Sequence, residues 1–314
     1  MVEKTTQALP YKIDFMGKRG LWVTISAVLS LIAVLSLAIR GLNYAVDFTG
    51  GTVIEASFKE SADLNDVRTR LEQTGFKSPT VQNFGSSRDV LIRLAPQEGA
   101  NNQEVKDKVM NSINAGASNT AEMTRIEFVG PQVGDDLAEG AVLALLMATL
   151  GILIYVAWRF EWRFSLGAVL ATLHDIVMIL GIFSLLQWDF DLSVLAAVLA
   201  VLGYSLNDTV VVFDRIRENF RKIRRADTVE VVNLSINETL SRTLMTSFLT
   251  LLTVIAMAIW GGEVIHNFAL ALIIGIVVGT YSSIYVASAL AVKLGISRAD
   301  MLVPEREGEA EGRP

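Results

Sequence analysis

The sequence predicts a multi-pass α-helical membrane protein with six transmembrane helices and one α+β domain of the ferredoxin-like type outside the membrane. Of the 314 residues, 52% are hydrophobic, and the mean hydropathy is +0.44. Six apolar runs are each long enough to cross a bilayer as a helix, at about 20 residues per crossing. The long insert between the first two runs instead alternates between strand and helix patterns. The net charge of −6 and the scattered short basic clusters do not indicate a nucleic-acid-binding protein.

The six apolar runs define the predicted helices and the division of the chain. The first run follows Lys18 and Arg19 as in a signal peptide, but it is longer than a typical signal core and no small-residue cleavage site follows it. We therefore expect it to be retained as a helix. The predicted spans are 21–39, 137–157, 165–186, 192–213, 240–260 and 267–290. The predicted domains are an N-terminal tail (1–20), the first helix (21–40), an outer domain (41–136), helices two to six (137–292) and a C-terminal tail (293–314).

The basic residues predict the orientation of the helices. They flank alternate ends of the apolar runs, at Lys12, Lys18, Arg19, Arg159, Arg163, Arg215, Arg217, Arg221, Lys222, Arg224, Arg225, Lys293 and Arg298. The opposite loops hold Asp189, Asp191, Glu263 and His266. Because positively charged loops stay in the cytoplasm, both termini are expected to be cytoplasmic, and the insert 41–136 is expected to lie outside.

The insert follows the order β-α-β-β-α-β, which is the ferredoxin-like arrangement. Strands are predicted over 52–58, 80–84, 89–94 and 125–129, and helices over 63–74 and 102–113. Asp63 has the position of an N-cap for the first of these helices. The insert carries no metal-ligand cluster, phosphate loop or nucleophile–base pair, so it is interpreted as a binding or spacer domain and not an enzyme.

Asp208 is the first candidate site residue, because it lies in the apolar run Ser193–Val212. A carboxylate inside the membrane is costly and often marks an ion pathway, although a fixed ion pair between helices is the alternative. Arg242 lies near the start of the next helix at a similar predicted depth, and it is either the partner of Asp208 or a side chain that reaches the inner headgroups. Asn207 adjoins the carboxylate and completes this proton-coupling candidate.

His174 and Asp175 form a second polar pair near the middle of the third span. Such a pair is a plausible proton relay, and a structural polar contact between helices is the alternative. The absence of cysteine excludes disulfides, thiol catalysis and cysteine-bound metal, and no cofactor or metal site is predicted.

Glycine and proline mark the turns and one packing surface. Gly50 and Gly51 indicate a tight turn into the outer domain, and Gly130 and Pro131 indicate the return linker. The Gly275-xxx-Gly279 spacing, followed by two serines, predicts close packing of the sixth helix and not chemistry.

Four stretches together resemble the SecF family, which belongs to the RND superfamily. They are Val46–Gly51, Val129–Gly134, Leu173–Asp175 and Gly203–Asn219, and the last is the most specific. The resemblance implies a subunit that works with SecD, associates with the SecYEG channel and often with YajC, and uses the proton-motive force to help unfolded preproteins across the bacterial inner membrane. It also implies that Asp208 is the proton-responsive carboxylate and Arg242 its intramembrane partner, with no catalytic residue.

Two other functions are compatible with parts of the sequence. The first is a small-molecule or lipid exporter of the same superfamily, which would need a substrate pocket among the helices. The second is an intramembrane aspartyl protease built on Asp175 and Asp208. A protease dyad needs two carboxylates close enough to share a proton, and the different predicted depths of these two disfavour it. The residues leave the choice between H⁺ and Na⁺ as the coupling ion open.

Overall fold

A computed structural model describes residues 13–77, 79–96 and 102–297. Lys12, Arg298 and most of both predicted tails lie outside the described residues. In chain order the elements are α1 (Arg19–Arg40), β1 (Asn43–Tyr44), α2 (Val46–Thr49), β2 (Gly51–Phe58), α3 (Leu64–Gln73), β3 (Thr80–Phe84), β4 (Ser86–Leu94), α4 (Asn102–Asn114), β5 (Ala121–Val129), α5 (Pro131–Arg159), α6 (Trp162–Leu186), β6 (Asp189–Phe190), α7 (Leu192–Lys222), α8 (Thr228–Trp260), a 3₁₀ turn (Glu263–Ile265), α9 (His266–Ser282), a π-helical turn (Ser283–Ala287) and α10 (Ser288–Lys293).

Six helices are long and apolar enough to cross a membrane, as predicted. Two of them extend well beyond the predicted spans at the end that carries the basic loop, because α7 continues to Lys222 and α8 begins at Thr228. The hydropathy of the sequence reports only the apolar part of each helix. The polar extension of α8 is stabilised by a capping box, in which Asp227 and Glu230 satisfy backbone N–H groups at its first turn.

The outer domain is a four-stranded antiparallel sheet in the order β3-β4-β2-β5, with α3 and α4 contributing to its core. The side chain of Asp63 accepts hydrogen bonds from the backbone N–H groups of Asn65 and Asp66, which confirms the predicted cap of α3. Strands β4 and β5 begin earlier than predicted. Strand β4 pairs with β3 from Ser86 opposite Phe84, and β5 pairs with β2 as far as Ala121 opposite Phe58. The residue at which a strand of this kind begins is determined by the pairing partner, and the sequence of the strand itself carries little information about it.

Three short elements at the outer end of the helices were not predicted. Strand β1 pairs in parallel with β6, through Asn43 opposite Asp189 and Tyr44 opposite Phe190. A two-residue strand has no periodicity to detect, and these two lie far apart in the sequence. Together with α2, they tie the start of the outer domain to the loop between α6 and α7.

The membrane helices pack around α7, and its contact with α9 is very close. A Cβ atom added to Gly275 would lie 2.2 Å from a methyl carbon of Val201, and one added to Gly279 would lie 2.9 Å from Ser205 Cβ. The predicted small-residue packing surface of the sixth helix is therefore confirmed. In contrast, α1, α5 and α8 leave much of their apolar surface exposed, as expected for helices that face lipid or another protein.

Candidate functional site

The carboxylate of Asp208 is buried in the middle of α7, with only 3% of the residue exposed. Its Oδ2 atom is buried and has no hydrogen-bond partner among the residues that the structure describes. Thr243 on α8 shows the same feature at its Oγ1 atom. An unsatisfied buried carboxylate oxygen is costly, and such groups require an explanation in terms of function, strain or an ion.

Arg242 lies close enough to act electrostatically on Asp208, but the two do not form an ion pair within 4.0 Å. The Arg242 side chain is exposed on the outward side of α8. The chain therefore presents the predicted partners on neighbouring helices α7 and α8 without a direct bond between them.

Asn207 faces a different direction from its neighbour Asp208, because it is exposed on α7. Ala196, Ala200 and Gly203 are also exposed, at spacings of three and four residues along the same helix. These four residues form a stripe of small and polar side chains on the outward surface of α7, which we call the α7 stripe. A small-residue surface permits close approach of another helix.

His174 and Asp175 are brought together on α6, with His174 Nδ1 and Asp175 Oδ1 3.0 Å apart. Asp175 is fully buried. Its second oxygen, Oδ2, accepts hydrogen bonds from two hydroxyl groups on other helices, one from Ser205 on α7 and one from Ser282 on α9 at 2.9 Å. The carboxylate therefore joins three helices in the interior of the membrane domain.

Sequence reasoning did not assign roles to Ser205 and Ser282 in this cluster. A serine on an apolar helix most often bonds back to its own backbone, so the residue type alone carries no signal. Ser205 also lies opposite Gly279 of α9, which lacks a side chain, so it is close to both α6 and α9.

The outer domain is docked on the membrane domain through a charged contact. Arg93 on β4 makes a two-pronged ion pair with Asp189 on β6, and one of its bonds, from Nη1 to Oδ1, measures 2.7 Å. Asn43 donates to the same carboxylate at 2.7 Å, and Gln82 of the outer domain lies at the edge of hydrogen-bonding range at 3.4 Å. The side chains of Arg93 and Asp189 are only 14% and 16% exposed. We call these four residues the docking cluster.

A cavity of about 330 Å³ lies beside the docking cluster, between the open face of the sheet and the outer ends of the helices. Burial lowers the pKa of the Arg93 guanidinium, while the carboxylates of Asp191 and Asp47 act in the opposite direction. Burial also raises the pKa of the Glu55 carboxyl in the same cavity, against the effect of Arg125. The acidic outer ends of the helices therefore help to keep Arg93 charged and paired.

The outer end of α7 is held by the segment that leads into the outer domain. Asp47 Oδ2 accepts a hydrogen bond from the backbone N–H of Leu192, the first residue of α7, at 3.0 Å. The predicted turn glycines lie just beyond, with φ angles of 66° at Gly50 and 128° at Gly51. The return linker enters α5 with Gly130 as N-cap and Pro131 at the first turn. Because left-handed backbone angles favour glycine, the Gly-Gly turn has a direct structural reason.

The inner end of α7 is held by a network of ion pairs. Arg159 on α5 donates two hydrogen bonds to Asp214, at 2.7 and 2.8 Å. Arg215 pairs with Glu238 on α8 at 2.7 Å. Asn219 also donates to Glu238. Arg159 and Arg215, two of the basic residues that predicted the orientation, therefore also connect α7 to α5 and α8.

The fold and this site define a multi-pass membrane protein with buried intramembrane carboxylates and a docked extramembrane α/β domain. Residues 109–297, more than half of the chain, match the family described as "Protein export membrane protein SecD/SecF, C-terminal". Residues 35–62 match the "SecD/SecF GG Motif". The chain belongs to the SecF family of protein translocase subunits.

Several known proteins are similar over nearly the whole chain. Protein translocase subunit SecF of Vibrio alginolyticus is 50% identical over 92% of this chain and 93% of its own length. Protein translocase subunit SecF of Escherichia coli O157:H7 is 47% identical, with 96% of this chain and 94% of the relative covered. These relatives do not favour the alternative of a small-molecule or lipid exporter.

A solved structure is similar in fold and sequence. The crystal structure of SecDF, a translocon-associated membrane protein from Thermus thermophilus, matches with a TM-score of 0.81 and 39% identity over 90% of this chain. A super-membrane-facing form of SecDF matches with a TM-score of 0.67 and 37% identity. The chain spans only 38% of the length of the first SecDF chain.

Proposed function

We propose that this subunit of the protein translocase couples the proton-motive force to the export of unfolded preproteins across the bacterial inner membrane. The observation that carries the proposal is the Asp208 carboxylate, which is buried within a membrane-spanning helix and leaves Oδ2 without a hydrogen-bond partner in the described part of the chain. Intramembrane carboxylates of this kind mark proton and ion pathways. Protonation of Asp208 removes the charge that attracts Arg242, and the two helices that carry these residues then rearrange.

A second membrane protein, SecD, is the proposed partner of this chain. The similar SecDF chain is more than twice as long, so this chain accounts for one part of a larger assembly. The α7 stripe and the exposed Arg242 on α8 are polar or small, which is unfavourable against lipid and suitable for contact with a second set of helices. Arg242 and Asn207 then belong to a proton site that the partner completes. The SecYEG channel and YajC are further proposed partners, by analogy with the family.

The outer domain is proposed to be a ferredoxin-like domain in the periplasm, with both termini of the chain in the cytoplasm. The strand order of the sheet and its β-α-β-β-α-β sequence order support the fold, and the positive-inside rule supports the orientation. In this orientation the outer domain meets the preprotein as it leaves the channel. The domain needs no chemistry of its own, since it only has to hold and release an unfolded chain.

The docking cluster and Asp47 are the proposed connection between the proton site and the outer domain. Asp189 contacts Arg93 of the outer domain, and Asp47 caps the first residue of α7. A movement of α7 therefore acts on the contacts that hold the outer domain in place. The membrane potential supplies about 2.3 kcal/mol per proton per 100 mV, which is enough to bias a two-state element.

The decisive experiment compares Asp208→Asn with Asp214→Asn in vesicles that contain the complete translocase. Both substitutions remove one carboxylate from α7, but Asp214 lies near its inner end and pairs with Arg159. Proton flux is expected to be lost only with Asp208→Asn, and the part of export that depends on the proton-motive force is expected to be lost with it. Wild-type flux and export in the Asp208→Asn protein would refute proton coupling at this residue. Repeating both measurements with a sodium gradient identifies the coupling ion.

A further inference from the structure

We propose that Asp175 and Ser205 form the proton path that leads to Asp208, an inference that rests on the proposed proton coupling. Asp175 is a second buried carboxylate, and the mechanism above does not use it. It lies on α6, and its Oδ2 atom accepts a hydrogen bond from Ser205 on α7. Ser205 is one helical turn before Asp208 on the same helix. The cluster therefore places a proton-carrying group beside the helix that holds the proton-responsive carboxylate.

Ser205 is suited to pass a proton between the two carboxylates. Residues three apart on a helix are neighbours, with Cβ atoms about 5–6 Å from each other. Ser205 and Asp208 are both buried, at 1% and 3% exposure. A hydroxyl group can donate and accept at once. The Ser205 hydroxyl donates to Asp175 in the structure, so it first has to turn toward Asp208. Protonated Asp175 then gives its proton to Ser205 Oγ while Ser205 gives its own proton to the Asp208 carboxylate, so that the step is balanced.

His174 provides the first position of the same path. Its Nδ1 atom lies 3.0 Å from Asp175 Oδ1. Its Nε2 atom is buried and has no partner within the described residues, so one nitrogen of the ring is unoccupied. An imidazole with one nitrogen toward a carboxylate and the other unoccupied can accept a proton on one side and deliver one on the other.

Three of the helices that pack against α6, namely α1, α7 and α9, carry few charged groups in their apolar parts. His174 is its only ion-pair partner among the described residues. Helix α1 has no charged residue between Arg19 and Arg40, and α9 has no ionisable acid or base after His266 until Tyr281. On α7 the nearest charged residue is Asp208. A proton on Asp175 therefore has one acidic destination in the helix beside it.

Ser282 on α9 provides the matched comparison for Ser205. It donates to the same oxygen of Asp175, at 2.9 Å, and it is also fully buried. The π-helical turn Ser283–Ala287 follows it directly, a feature that is frequent at functional sites. However, Ser282 does not share a helix with Asp208. Removing either hydroxyl costs Asp175 one hydrogen bond, and only Ser205 also lies one helical turn from Asp208.

The test measures proton flux under an imposed pH gradient in vesicles that contain the complete translocase, for Ser205→Ala and Ser282→Ala. Ser205→Ala is expected to lower the flux by about 100-fold, the lower end of the usual contribution of one positioned proton-transfer group. Ser282→Ala removes one hydrogen bond from Asp175, so it is expected to lower the flux much less than Ser205→Ala does. Thermal unfolding of both proteins should shift by similar amounts, because each loses one buried hydrogen bond to the same atom.

Equal fluxes in the two alanine variants would overturn the path while leaving the coupling at Asp208 intact. Asp175→Asn is the second variant, since it keeps the size of the side chain and an oxygen acceptor for the serines but cannot carry the proton. Its flux is expected to fall as far as that of Ser205→Ala, and a wild-type flux in this variant would also overturn the path. Failure of the proposed function is recognised separately, as wild-type flux with Asp208→Asn.

Discussion

Replacing Arg93 with glutamine is expected to release the outer domain from the membrane domain. Arg93 is the only residue of the described outer domain that makes an ion pair with Asp189. Glutamine is polar, uncharged and shorter than arginine, so it removes the charge without overcrowding the sheet around position 93. In the variant, Asp189 keeps its contacts with Asn43 and Gln82. These contacts satisfy the carboxylate, but they bind the outer domain more weakly than the ion pair with Arg93 does.

The size of the effect follows from the contacts that are lost. Arg93 makes two charge-assisted hydrogen bonds to Asp189, and each such bond contributes about 1.5–3 kcal/mol. Removing one partner of a mostly buried charge pair costs about 2–5 kcal/mol. The two side chains keep some exposure, and Asp189 keeps other donors, so we expect about 2–3 kcal/mol. At 1.4 kcal/mol per factor of ten, the docked fraction changes relative to the free fraction by about 30- to 150-fold.

The assay is a distance measurement between two spin labels in the full chain, placed in lipid nanodiscs. The chain has no native cysteine, so Glu60→Cys in the outer domain and Asp136→Cys at the start of α5 can be labelled selectively. Both positions are exposed. The wild-type chain should give one narrow distance distribution, and Arg93→Gln should add a broad second one. Arg125→Gln is the control, because Arg125 lies on the same sheet but pairs with Glu127 and Glu55 inside the domain.

A double-mutant cycle with Asp189→Asn separates the pair from its surroundings. The coupling free energy of the two substitutions is expected to be about 2 kcal/mol, within the range measured for close charge pairs. If Arg93→Gln leaves the distance distribution unchanged and the coupling is below about 0.5 kcal/mol, the ion pair does not hold the domain. The proposed connection between α7 and the outer domain would then have to depend on Asp47 and the linkers alone.

Three further outcomes follow from the packing, the charges and the helix caps. Gly275→Ala should destabilise the membrane domain by about 1–3 kcal/mol in a thermal unfolding assay, because a Cβ there would lie 2.2 Å from a Val201 methyl carbon. Gly151→Ala is the control and should not destabilise the domain, because a Cβ at position 151 would have no atom within 4 Å. Burial raises the pKa of Glu55, so the folded state binds its proton more tightly than the unfolded state, and the outer domain loses stability as the pH rises above 4.5. Glu55→Gln should abolish this pH-dependent loss. At neutral pH the variant should be more stable by about 0.5 kcal/mol in chemical denaturation. Asp63→Ala should cost about 1 kcal/mol in the same assay through loss of the α3 cap.

The sequence predicts this fold well where the pattern is local. The six apolar runs correspond to six long helices, and the alternating pattern of the insert corresponds to its strands and helices in the right order. It predicts poorly where structure depends on a distant partner. Strands β1 and β6 exist only through each other, and the early start of β5 exists only through β2. The helical extensions of α7 and α8 are polar, and hydropathy does not register them.

The site shows the same division between local and distant signals. Asp208, Arg242, His174 and Asp175 are each unusual for their surroundings, so a charged residue in an apolar run was enough to find them. The Arg93–Asp189 pair spans 96 residues between two parts of the chain, and each residue alone is an ordinary surface charge. Ser205 and Asp175 are likewise 30 residues apart and meet through the packing of α6 against α7. No local pattern contains that information.

The arrangement of the contacts supports the proposal that α7 is the element that transmits the change. It has 31 residues and is therefore about 46 Å long, more than the thickness of the hydrocarbon core. Its outer end is capped by Asp47, its middle carries Ser205 and Asp208, and its inner end is bonded to α5 and α8 through Asp214 and Arg215.

A helix that is held at both ends and has an unsatisfied carboxylate in the middle converts a change of one proton into movement at both ends. The alternative is that α8 moves over a stationary α7. That alternative predicts that Asp208→Asn alters distances from α8 but not the docking of the outer domain. The spin-label pair at positions 60 and 136, measured in the Asp208→Asn protein, distinguishes the two: a change in the docked fraction is expected if α7 transmits the signal.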